Sequence, residues 1–229
     1  MKESLKIDPR LQERSTGCRF KSLEHIVVPE LSMIEGNFQS SLDSVSKSLA
    51  SSSLILDKEM RENSLRAQVV FLESAFDYFC HCILKYGFRK VLLGDWRPSE
   101  KYENFLVPMS VVKQAQSSGD EDYYVDFLNL KISPMTFLDP AVLKDNLNLI
   151  YPSMLEEVAE RAYPSLKDPT SLLKEKLKSL YDRRNRIAHQ DDREHASLKR
   201  RSISKEEVEG YRDDLALITD KMLEAVKAR

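Results

Sequence analysis

The run RRNRIAH, residues 183–189, combines three side-chain types that can act on a phosphodiester. A histidine can exchange a proton with a hydroxyl or a leaving oxygen near neutral pH. An arginine stays charged and offers a planar fork of donors to phosphate oxygens. An asparagine can orient the imidazole or the substrate through neutral hydrogen bonds. We therefore consider Arg184, Asn185 and His189 candidate catalytic residues, and Arg183 and Arg186 candidate RNA contacts.

The run ends a predicted amphipathic helix. Leu173, Leu177 and Leu180 recur at spacings of four and three, and the same count next reaches Arg184. A charge on an apolar stripe is costly unless it is paired or solvated, which points to a function for this arginine. A purely structural interpretation also fits the run, because arginine and histidine are favoured in the last turn of a helix.

The spacing of the candidate residues limits how they can cooperate. Asn185 and His189 are four residues apart and share a helix face. Arg184 lies about 140° from His189 on an ideal helix. The two side chains therefore meet only if the helix ends or distorts at His189, or if they converge across a dimer interface.

Two acidic residues are candidates for supporting roles. Asp192 can hold the tautomer of His189 or, equally, cap the loop at the end of the helix. Glu73 lies at the edge of the apolar band of an earlier helix and can face the helix of the run. The simpler expectation for Glu73 is a solvated edge residue.

The run "RRNRIAHQDD" resembles the R-x4-6-H motif of the HEPN superfamily, with the polar residue that often follows its arginine. The longer stretch "LKSLYDRRNRIAHQDDR", followed by "SISKEEVEGYRDDLALITDKML", looks like the RiboL-PSP-like branch of that superfamily. The resemblance covers about residues 134–229 and is weaker over the long helix before them. The family pattern maps onto Arg184, Asn185 and His189. One position departs from a related group: toxins controlled by nucleotidyl transfer carry a tyrosine where this chain has Asp191.

The resemblance implies a small, all-α helical bundle that cleaves RNA without a metal or another cofactor. Many HEPN proteins are dimeric, with two motifs meeting at the dimer interface, and several are toxins or antiviral effectors. The implied partners are RNA, a second copy of the chain, and an antitoxin or sensor protein. Some HEPN domains are not catalytic. A module that binds RNA, a nucleotide or a partner protein is therefore the alternative, and a helical interaction protein is a further one.

The composition restricts how nucleic acid can be recognised. The chain has 229 residues and a formal net charge of −2, so no global field attracts RNA. A local basic patch is present around the run, although acids interrupt it between 191 and 194. Its members are Arg183, Arg184, Arg186, Arg193, Lys199, Arg200 and Arg201.

Apolar periodicity and capping signals predict an all-α bundle. We expect residues 1–22 to be poorly ordered and residues 23–229 to form one domain, with an irregular insertion at 94–132 that carries short extra helices. Aspartate before Pro140 and Pro169 predicts helix starts there, and Ser204 with Glu207 fits a capping box. The predicted helices span about 30–51, 56–92, 103–116, 121–131, 139–149, 153–162 and 169–190, with a last helix from Ser204.

Other site types and locations are less consistent with the sequence. The pair Cys80 and Cys82 lacks a second ligand pair, so buried thiols are expected rather than a metal site. Three cysteines in all suit a reducing cytoplasm. We also expect no signal peptide and no membrane-spanning segment.

Overall fold

The computed structural model describes Leu23 and residues 25–229, and the described part of the chain is all-α. The prediction for residues 1–22 lies outside the described residues. Within the described part the only extended pairing is an isolated bridge between Arg193 and Arg200. The helices are α1 Leu31–Ser52, α2 Lys58–Leu92, α3 Glu100–Glu103, α4 Met109–Ser118, α5 Asp122–Ile132, α6 Pro140–Ile150, α7 Met154–Ala162, α8 Pro169–Gln190 and α9 Lys205–Lys227.

Helix α2 is the central element of the bundle. It contacts α1, α5, α6, α8 and α9. Its apolar residues are therefore buried on several sides, as Leu72, Phe76 and Ile83 illustrate with no exposed surface. Gly87 allows the closest approach, because a Cβ at this position would lie 2.5 Å from Cδ1 of Ile150 in α6.

Helix α2 is, within the described residues, the one helix long and apolar enough to cross a membrane, by length and composition only. The expectation that no segment spans a membrane stays a prediction. Just over half of its most apolar 18-residue stretch is buried inside the bundle. A buried core helix passes the same test, since both environments select apolar side chains.

The predicted helix starts are confirmed by their capping bonds. The Asp139 carboxylate accepts the N–H of Ala141 at 2.9 Å, and Asp168 accepts the N–H of Ser171 at 3.0 Å. Ser204 Oγ accepts the N–H of Glu207 at 3.1 Å. Each bond satisfies a backbone donor that the first helical turn leaves without a partner.

The region 94–132 is more regular than the sequence predicted. The single helical piece expected at 103–116 begins only at Met109, as α4, because Pro108 disfavours a helical conformation at the preceding residue. The short helix α3 precedes it and ends at Glu103. Helix α5 contributes Val125, Leu128 and Ile132 to the core. The region thus belongs to the packed bundle at α5 and forms its periphery at α3 and α4.

Helices α8 and α9 form a hairpin that packs against α2. Leu173, Leu177 and Leu180 of α8 are buried, as the stripe predicted. The loop between the two helices runs from Asp191 to Ser204. This hairpin carries the candidate site.

Candidate functional site

Helix α8 is continuous through the whole RRNRIAH run. It ends at Gln190, after which Asp191 adopts a left-handed conformation with φ 50°. The N–H of Asp192 then donates to the carbonyl of Arg186 at 2.9 Å, which closes the helix end. The helix therefore neither ends before His189 nor releases it into the loop.

Arg184 is held by a buried carboxylate of α2. Its Nε lies 3.0 Å from Oε2 of Glu73, whose side chain is only 5% exposed. The expectation that Glu73 is a solvated edge residue is therefore wrong, and Glu73 faces α8. The Arg184 side chain retains 27% of its surface, and its Nη1 donates to Oδ1 of Asn185 at 3.0 Å. The arginine on the apolar stripe is thus paired on its inner side and open to solvent on its outer side.

A second carboxylate, that of the half-buried Asp77, lies one helical turn from Glu73. The Thr136 hydroxyl lies 3.0 Å from Oδ2 of Asp77 and 3.4 Å from Oε1 of Glu73. The N–H of Phe137 donates to Oδ1 of Asp77 at 2.6 Å. Glu73, Asp77 and Thr136 therefore form one polar cluster, which we call the carboxylate cluster, between α2 and the linker from α5 to α6.

Burial is the largest influence on the pKa of each carboxylate in this cluster. Burial raises the pKa of Glu73, the neighbouring Asp77 raises it further, and Arg184 and the Thr136 hydroxyl oppose the rise. Burial likewise raises the pKa of Asp77, against the opposing hydrogen bonds from Phe137 and Thr136. Two adjacent carboxylates with one cation make simultaneous ionisation of both costly.

His189 lies exposed in the last turn of α8. No hydrogen bond or ion pair to its imidazole is present within Leu23 and residues 25–229. Because the helix is unbroken, Arg184 and His189 project from it about 140° apart, and a single copy of the chain does not bring them together. Asn185 shares the His189 face by its spacing while its side chain accepts from Arg184.

Arg183 is a structural residue in this arrangement. Its side chain is 6% exposed, and its Nη2 lies 3.1 Å from Oδ2 of Asp192 and donates to the carbonyl of Ser202 at 2.8 Å. Its Nε lies 3.4 Å from Oε1 of Glu207 in α9. An RNA contact by Arg183 would require these pairs to open.

Asp192 closes the same buried ion cluster and is fully buried. Arg66 of α2 donates to its Oδ2 at 2.9 Å, beside Arg183. Of the two roles predicted for Asp192, the geometry fits the one at the helix end, and its carboxylate is directed at these two arginines. Arg66 is not among the residues predicted from the sequence, although a charge within the apolar band of α2 is a recognisable signal.

The predicted basic patch is largely an ion-pair network. Arg193 and Arg200 both pair with Asp191, and Arg201 lies 3.6 Å from Glu194. These pairs reduce the positive field of the loop. Arg186 differs, because no carboxylate lies within 4.0 Å of it in the described part of the chain.

Cys80 and Cys82 are buried free thiols, as expected from the sequence. His81 packs edge-on against Phe137, with ring centroids 4.8 Å apart. Burial lowers the pKa of His81, with Lys85 lowering it further. Over Leu23 and residues 25–229, no cluster of three or more histidine, cysteine, aspartate or glutamate side chains has the geometry of a metal site.

Comparisons with protein-family models, with curated proteins and with solved structures find no match for this chain.

Proposed function

We propose that this chain is a metal-independent endoribonuclease of the HEPN type. The observation that carries the proposal is the placement of Arg184. A buried carboxylate fixes its guanidinium from the inside, and its outer edge is open to solvent beside Asn185. A cation that is held in place and partly exposed suits the binding of a phosphate group, because its orientation is set before the substrate arrives.

The chemistry follows from the residues along one helix. The 2′-hydroxyl of RNA loses its proton and its oxygen attacks the adjacent phosphorus. The bond from phosphorus to the 5′-oxygen breaks, and that oxygen takes up a proton. Arg184 stabilises the charge on the phosphate, and His189 serves as the acid or the base. The products are a 2′,3′-cyclic phosphate and a 5′-hydroxyl end.

The separation of Arg184 and His189 supports a homodimeric site. Two copies with their α8 helices facing each other bring Arg184 of one copy towards His189 of the other. The same arrangement adds the two Arg186 side chains as RNA contacts, and neither copy has a carboxylate beside Arg186 in the described residues. A composite site of this kind brings together two side chains that a single straight helix keeps apart.

The biological role that fits this activity is growth inhibition or antiviral defence in a prokaryotic cytoplasm. An antitoxin or sensor protein would then control the nuclease. Histidine, arginine and asparagine are residue types that suit RNA cleavage. The biological role follows from the HEPN resemblance.

The experiment is incubation of purified protein with a labelled RNA oligonucleotide in EDTA, with binding measured in parallel. Wild-type protein is expected to cut, whereas His189→Ala is expected to bind without cutting. Acid–base catalysis typically contributes about 10²–10⁴-fold, so the loss is easily measured. Binding without cleavage by the wild type favours the non-catalytic module instead. Neither binding nor cleavage favours an interaction protein.

A further inference from the structure

The carboxylate cluster behind Arg184 contains more groups than an ion pair needs. Glu73 alone neutralises the arginine, yet Asp77 lies half-buried one turn away and Thr136 lies between the two carboxylates. A second, half-buried carboxylate adds repulsion and a partial desolvation cost. Because this arrangement lowers the stability of the fold, we look for a functional reason for it.

We propose that Asp77 and Thr136 are positioning residues that hold the Glu73 carboxylate against Arg184. The part of this inference that concerns RNA cleavage rests on the proposed function. The contacts form one chain of neighbours from the α5–α6 linker to α8: Phe137 to Asp77, Asp77 to Thr136, Thr136 to Glu73, and Glu73 to Arg184.

The hydroxyl of Thr136 has a single proton, which can serve only one carboxylate at a time. The carboxylates of Asp77 and Glu73 therefore compete for this proton, and Oγ1 of Thr136 lies 3.0 Å from Oδ2 of Asp77 and 3.4 Å from Oε1 of Glu73. The other Glu73 oxygen, Oε2, lies 3.0 Å from Nε of Arg184. Thr136 can thus hold one oxygen of Glu73 while Arg184 holds the other.

The groups that face Glu73 and Asp77 come from different elements. Arg184 comes from α8, Thr136 and the N–H of Phe137 come from the α5–α6 linker, and the Cys80 thiol lies on α2 itself. Arg184 and Thr136 both favour the ionised form of Glu73, whereas Asp77 disfavours it. Removing Thr136 and removing the charge of Asp77 must therefore act on Glu73 in opposite directions.

The first measurement is a carboxyl NMR titration, with the Glu73 signal assigned by its loss in Glu73→Gln. Thr136→Val should raise the pKa of Glu73, because the anion loses a donor. Asp77→Asn should lower it, because the like charge is gone and the amide N–H can donate to Oγ1 of Thr136. Thr219→Val is the control, since Thr219 is a buried threonine whose hydroxyl donates to the Leu215 carbonyl within α9, away from the carboxylate cluster. The Thr219→Val substitution should leave the pKa of Glu73 unchanged.

The second measurement is the pH profile of RNA cleavage. Arg184 loses its ionised partner as Glu73 protonates, so the acid limb of kcat/KM should move to higher pH in Thr136→Val and to lower pH in Asp77→Asn. Near the acid limb, Thr136→Val should cost roughly tenfold in kcat/KM, and Thr136→Ser should restore it to within about twofold.

The two measurements distinguish a failure of the proposed function from a failure of the positioning proposal. A wild-type protein that does not cleave RNA removes the proposed function, and the titration still decides whether the cluster positions Glu73. A Glu73 pKa that is unmoved by both substitutions, or moved in the same direction by both, overturns the proposal. Should Thr136→Val fail to fold, an unshifted or raised Glu73 pKa in Asp77→Asn overturns it alone.

Discussion

Nε of Arg184 lies 3.0 Å from Oε2 of Glu73, so two helices distant in sequence meet at the candidate catalytic arginine. This pair holds the Nε edge of the guanidinium, while Nη1 donates to Oδ1 of Asn185 at 3.0 Å and the side chain keeps 27% of its surface exposed. A lysine keeps the charge but has no planar fork, so it cannot satisfy Glu73 and a phosphate in the same geometry.

Arg184→Lys is therefore expected to lose most of the ribonuclease activity. Arg186→Lys is the matched control, because Arg186 lies two residues away on the same helix and has no carboxylate within 4.0 Å in the described residues. It should lose little, since a general phosphate contact needs charge more than shape. The measurement is kcat/KM on one RNA substrate for both variants. Equal losses would show that only charge matters and would contradict a specific role for Arg184.

The sequence predicted the helices well because their signals are local. Aspartate before Pro140, aspartate before Pro169 and the Ser204 capping box each act within one turn, and each was confirmed. Pro108 shows the limit, since the predicted helix over 103–116 overlooked the break that a proline imposes.

The site was only partly predictable, because its partners come from distant segments. Arg184 was identifiable as a charge on an apolar stripe, but its partner Glu73 was expected to be solvated, and Thr136 and Asp77 gave no periodic signal. Burial of Arg183 depends on Arg66, Asp192 and Glu207, which lie on three different segments. Spacing within one helix does not determine which of two adjacent arginines turns inward.

The buried ion cluster at the end of α8 predicts a large stability effect. Asp192→Ala removes the carboxylate that Arg66 and Arg183 share and leaves them with Glu62 and Glu207, each 3.4 Å away. Removing one partner of a buried pair typically costs about 3–5 kcal/mol. The control is Asp182→Ala, whose side chain is 43% exposed and, among the described residues, pairs only with Lys178 in α8. Exposed pairs contribute about 0–1 kcal/mol. The free energy of unfolding from urea denaturation checks both variants, and similar small losses in the two would show that the cluster does not stabilise the hairpin.

The composite site predicts complementation between two inactive variants. Arg184→Ala and His189→Ala proteins are each expected to be inactive. After subunit exchange, a mixed dimer contains one site that pairs the wild-type Arg184 of one copy with the wild-type His189 of the other. Cleavage should then return to a fraction of the wild-type rate, measured against each variant alone under the same exchange conditions. A protein that is fully active as a monomer by light scattering would exclude the composite site.

The most direct test of the account is the product of cleavage on two matched RNA oligonucleotides, one all-ribose and one with a single 2′-deoxyribose at the cleavage position. Both are incubated in EDTA with wild-type protein and with His189→Ala, whose helicity is checked by circular dichroism. The account predicts that wild-type protein cuts the all-ribose substrate, that mass spectrometry finds a 2′,3′-cyclic phosphate on the product, and that the 2′-deoxy position resists. It predicts that His189→Ala is folded and inactive on both. Efficient cutting at the 2′-deoxy position, strict dependence on magnesium, or full activity of His189→Ala would contradict it.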